Sequence, residues 1–85
     1  MATRVNAGDE LALYVIYENP SDYPGQYVAR RWAVHLEPTG PSTMFDAEPI
    51  IVTPSLAQAR HALPWGLINI GKYKQDDPAL LEVWI

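Results

Sequence analysis

A chain of 85 residues makes one domain with a thin core, because folding at this size hides only about 60–65% of the surface the unfolded chain exposes. It has no cysteine, which excludes disulfides, thiolate metal sites and cysteine nucleophiles and favours a reducing cytoplasm. Ten acids against six bases give a net charge of −4, which argues against non-specific nucleic-acid binding, and a hydrophobic content of 48% argues against disorder.

Residues 1–9 read as a flexible leader ahead of a single domain over residues 10–85. The leader lacks the apolar run of a signal peptide. No window approaches the roughly 20 apolar residues of a membrane span. The first predicted strand, 11–18, is apolar on both faces: Leu11, Leu13, Val15 and Tyr17 on one, Ala12, Tyr14 and Ile16 on the other. Such a run suits a central strand with both faces covered in part. Residues 19–26 form a turn, broken by Pro20 and Pro24 and eased by Gly25.

The second predicted strand spans 27–36. Val28, Arg30, Trp32, Val34 and Leu36 share one face, which reads as the core side apart from Arg30. Tyr27, Ala29, Arg31, Ala33 and His35 share the other, wetter side. Residues 37–49 contain Pro38, Gly40, Pro41 and Pro49 and read as a long loop. Ile50-Ile51-Val52 is a short strand.

A helix follows over 56–63, with Thr53 or Ser55 as cap and Pro54 at its start. Leu56, Ala59, Ala62 and Leu63 form its apolar stripe, Pro64 ends it and Gly66 serves the turn beyond. Residues 67–70 give a fourth strand, 71–78 a polar loop and 80–85 a fifth strand tucked into the sheet.

The resulting pattern is β-β-β-α-β-β, an α+β fold in which one helix packs on one face of a mainly antiparallel sheet of four to five strands. The expected spatial order places the fourth strand at one edge, followed by the fifth, first, second and third.

Three groups of residues carry a resemblance: Tyr14-Val15-Ile16-Tyr17, then Asn19-Pro20-x-Asp22-x-Pro24, then Val28-x-Arg30-Arg31-Trp32. Ser55-Leu56-x-x-Ala59-Arg60, Pro64-x-Gly66-Leu67, Asp76-Asp77-Pro78 and Leu81-Glu82-Val83-Trp84 extend it to roughly residues 13–85. In these the chain resembles a group of small proteins from bacteria and their phages with no established activity. The resemblance implies a bacterial or phage cytoplasmic origin and transfers no mechanism.

The residues themselves offer little chemistry. The two histidines, His35 and His61, lie on different elements and fall short of the three or four convergent ligands of a zinc site. Asp76-Asp77 reads as solvated loop acids beside Pro78, with too few oxygens for a calcium loop. No serine sits in a nucleophile elbow, and Gly66 to Gly71 lacks phosphate-loop spacing. No catalytic residue, metal or cofactor is assigned.

Arg30 and Arg31 point to opposite faces, so one guanidinium sits on the core side or at the sheet margin. Glu18 and Glu82 are its candidate cross-strand partners, with an anion or a protein as the functional alternative. Trp32 reads as core, Trp65 as either a cover for the helix end or an exposed anchor, and Trp84 as exposed on the open side. The 19–26 and 71–79 loops should lie at the same end of the sheet. Tyr23, Arg30, Arg31, Lys72, Tyr73 and Lys74 are therefore the candidate binding residues.

These readings favour a non-catalytic interaction or regulatory module that binds a protein through the sheet's open face or its top loops. A homodimer built on sheet edges or open faces is one alternative, and a small anion- or ligand-binding protein another. In a phage setting, analogy adds an inhibitor of a host defence complex, of the anti-CRISPR kind.

Overall fold

The structure is a computed structural model and describes residues 10–45, 48–71 and 78–85. The predicted leader, Lys72, Tyr73, Lys74 and Asp76-Asp77 lie outside the described residues.

The elements in chain order are β1 (Glu10–Glu18), β2 (Tyr27–Glu37), β3 (Gly40–Phe45), β4 (Ile51–Thr53), α1 (Leu56–His61) and β5 (Leu80–Trp84). All strand pairs are antiparallel, in the order β3-β2-β1-β5, with β4 also pairing β2. The α+β architecture therefore holds. β2 is long enough to carry two partners on one edge, β4 against Tyr27–Ala29 and β3 against Trp32–Glu37.

Two predicted elements differ. The expected 37–49 loop contains β3. Glu37 pairs Gly40 across a turn at Pro38-Thr39, and Gly40 takes a φ of 126°, which favours glycine. Proline at 41 is tolerated because β3 is an edge strand, where a missing N–H breaks no second ladder. The expected fourth strand shrinks to one bridge, Asn69 to Trp84. It is framed by Ile68 N–H to Ile85 O (2.7 Å), Ile85 N–H to Ile68 O (3.0 Å) and Ile70 N–H to Val83 O (2.8 Å). With that segment beside β5, the spatial order matches the sequence reading.

The start of α1 follows from local chemistry. Ser55 is the cap, its hydroxyl accepting the Gln58 N–H at 3.3 Å. Thr53 Oγ1 accepts the Ser55 N–H (3.2 Å) and donates to Gln58 Oε1 (2.6 Å). These bonds fix the angle at which the chain leaves β4. The 19–26 turn is held by Asn19, whose φ of 52° is left-handed; its side-chain carbonyl accepts the Gly25 N–H at 2.7 Å.

The helix-side cluster of the core lies on the face opposite to the one expected, while Val28 is buried on the expected face. Ile16, Ala29 and Ala59 are fully buried, and Tyr27, Ile51, Leu56 and Leu63 pack against them. β2 thus gives its Tyr27-Ala29-Ala33 side to the helix, not the heavier Val28-Trp32-Val34 side. The reason is steric. Alanines on the strand and at Ala59 on the helix let the helix axis approach the sheet closely, where larger side chains would hold it off.

Candidate functional site

Two charged links frame the molecule. On the helix face, Arg60 Nε donates to both carboxylate oxygens of Glu82 (3.1 Å each), and Arg60 Nη2 donates to Oε2. The Trp84 indole N–H donates to Glu82 Oε1 at 3.0 Å. Glu82 is buried while the Arg60 side chain is about half exposed. The Arg60 guanidinium, aided by the Trp84 N–H, holds the Glu82 carboxyl below the ordinary value of 4.5 against the opposing effect of burial. This link straps α1 to β5. Trp84 is therefore half-buried on the helix face and not on the open side.

At the other link, Arg30 Nη2 meets Asp22 Oδ2 at 3.0 Å and ties the 19–26 turn to β2. The cross-strand partners expected for the arginines are otherwise engaged. Glu18 accepts the Tyr27 hydroxyl at 3.2 Å and raises its pKa above the ordinary 10.0, and Glu82 takes Arg60. Arg30 faces away from the helix and Arg31 shares the helix face, so the two do not form one site. Tyr23 is half-buried within the turn; its N–H donates to Pro20 O (3.0 Å) and its carbonyl accepts the Gln26 N–H (3.3 Å).

The 19–26 turn and Pro78-Ala79 do meet at one end of the sheet, as expected, where Glu18 N–H donates to Ala79 O at 2.7 Å. An open depression of about 1080 Å³ lies there, lined in part by Tyr17, Asn19, Asp22, Arg30 and Trp32. Among the described residues no group of three metal-ligating side chains occurs, and no helix is long and apolar enough to cross a membrane.

The largest feature is the sheet face that carries Arg30. Register places Leu11, Leu13, Val15 and Tyr17 of β1 opposite Val34, Trp32, Arg30 and Val28 of β2, with Val52 of β4 and Val83 of β5 in the same layer. Alternation around the Asn69–Trp84 bridge adds Ile68, Ile70 and Ile85. Among the described residues, no helix packs on this layer, since α1 lies on the other side. Val15 and Val28 are buried within it, but Ile68 is 68% exposed, Ile70 56% and Leu11 44%. The only charged side chain that the described strands place there is Arg30, already joined to Asp22. The sequence puts the β2 part of this layer on the core side, and of those side chains Val28 is buried while Trp32 and Val34 are only partly so. The signal that the layer is an open apolar face was the excess of apolar residues on both sides of β1 over what one short helix covers.

Trp65 adds a separate exposed apolar side chain, 99% accessible, beside a small cleft of about 290 Å³ between the helix end and Trp84. No family model matches the chain, and comparison with curated proteins and with solved structures gives no match.

Proposed function

We propose that this chain is a small interaction or regulatory module without catalytic activity, of bacterial or phage origin, that holds a protein against its open sheet face. One observation carries the reading: both faces of the sheet are apolar, and the single described helix occupies one of them. Contiguous apolar patches beyond a few hundred square ångströms on small domains mark interaction sites. A sheet face also provides a rigid platform whose register fixes the position of each contact.

The depression beside Arg30 supports a second reading, a small anionic ligand. An incoming anion there has to compete with the Asp22 carboxylate for the guanidinium, which makes this the weaker case.

Tagged chain expressed in a bacterial host tests the first reading. The wild-type chain should elute with a stoichiometric companion, either another protein or an untagged copy of itself. Leu13→Asp should lose that companion, and Ala57→Glu, on the exposed helix surface, should keep it. Equal recovery of a companion with all three chains would remove the open face from the account, and so would repeated recovery of none.

A further inference from the structure

Resting on that reading of the open face, we infer that its occupant is a second copy of this chain, packed face to face as a two-sheet sandwich. Each copy then supplies half of a core that neither completes alone.

The monomer's own core is the first argument. Under the helix its fully buried cluster is Ile16, Ala29 and Ala59, two of them alanines with little apolar area to hide, while Val15 and Val28 are buried on the other face. Larger side chains such as Leu13, Trp32 and Val34 lie in the layer on which no described helix packs and are only partly buried there. This distribution is that of a domain core cut in half, the signature of obligate homodimer interfaces, which are more apolar than those between occasional partners.

The second argument is charge. A chain of net charge −4 repels its own copy unless its acids avoid the contact. Among the described strands they do: Glu18 and Glu82 sit in the helix-side layer, and Arg30, opposite Val15 within the open layer, is joined to Asp22. The open layer therefore offers its copy no carboxylate from the described strands, and the one charge those strands place on it, Arg30, is offset by Asp22. Protein partners chosen by charge would find almost nothing there to read.

The third is area. Five columns of backbone about 4.8 Å apart, over a comparable or greater length along the strands, give on the order of 500 Å² of footprint per copy. A pair then buries about 1,000 Å² or more, the level a specific interface needs. Packed sheets lie about 10 Å apart with interdigitated side chains, so the half-buried Leu13, Trp32 and Val34 fit between them. β1 is the middle strand of the five columns, which puts Leu13 near the twofold axis.

Sedimentation of the purified full chain at micromolar concentration, joined to single-cysteine cross-linking, tests this. The chain has no cysteine of its own, so each introduced thiol reports alone. The expected mass is twice the 9.5 kDa of one chain. Leu13→Cys and Val34→Cys should each link to a second copy through a short bis-maleimide, and Ala57→Cys on the helix should not. Links at the outer edge alone, through Asn69→Cys, would overturn face-to-face packing in favour of edge pairing. A monomer would overturn the second copy. If that monomer carries a different companion that Leu13→Asp loses, docking on the open face survives; with no such companion, both readings fail.

Discussion

Ile16→Ala lowers the stability of the fold by about 2–4 kcal/mol, the range for emptying a fully buried aliphatic site that collapses only in part. Ile16 is the one large side chain at the centre of the helix-side cluster, and its neighbours Ala29 and Ala59 have no side-chain reach to refill the space. Domains hold roughly 0.05–0.15 kcal/mol of stability per residue, so the whole chain has about 4–13 kcal/mol to lose. The melting temperature should fall by about 10–25 °C at the usual slope for a chain of this length. Trp65→Ala removes a larger side chain, yet it should change stability by less than about 0.5 kcal/mol, because Trp65 is 99% exposed. Urea unfolding of the two variants separates burial from side-chain size. Equal losses would mean that the core is not where the Ile16 cluster places it.

Glu82→Ala has the second-largest expected effect, about 1–2 kcal/mol. Removal of the carboxylate takes away the forked bond to Arg60 and the acceptor for the Trp84 indole. Bonds to charged groups are worth about 1.5–3 kcal/mol when shielded. The half-exposed Arg60 recovers water when its partner goes, which places this strap around the lower end of that range.

The same carboxylate gives a pH dependence of known sign. Its pKa is held below the ordinary 4.5 in the folded chain, so its contribution is complete above 4.5 and is lost as pH falls through the folded value. Wild-type stability should therefore drop more steeply below pH 4.5 than that of Glu82→Gln, which cannot ionise there. The same bond raises the pKa of Arg60, which stays protonated across this range and so adds no pH dependence at low pH. Parallel stability profiles for the two proteins between pH 5 and 3 would show that the strap does not stabilise the fold through its charge.

How much of this was legible in the sequence depended on whether the signal was local. Pro54 and Ser55 before an apolar stripe placed the helix start within a residue, because capping is chemistry among near neighbours. The two-sided apolar run of β1 and the length of β2 marked both strands, and the expected sheet order agrees with the observed one. β3 was hidden by Pro38, Gly40 and Pro41, which read as loop punctuation but suit an edge hairpin.

Which face of the sheet is covered was not legible. Bulk suggested the Trp32 side, whereas the helix docks where alanines let it come close, and that choice depends on contacts distant in sequence. The partner of Arg30 was missed for a similar reason. Asp22 lies in a turn whose path is set by the left-handed Asn19 and its bond to Gly25, not by strand register. The proposed binding cluster around Lys72, Tyr73 and Lys74 falls outside the described residues, and Arg30 and Arg31 part to opposite faces. Of the two surfaces the sequence offers, the open face and the top loops, the proposal rests on the open face.

That the open layer is covered in the working state is the central claim. Hydroxyl-radical footprinting of the wild-type chain, with Trp65 as the internal reference for a freely exposed ring, measures it most directly. The account predicts that Leu11, Val34 and Ile68 oxidise several-fold more slowly in the assembly than in the Leu13→Asp chain, while Trp65 keeps its rate. Rates on that layer that match its exposure in the isolated chain, in assembled and variant protein alike, would contradict it.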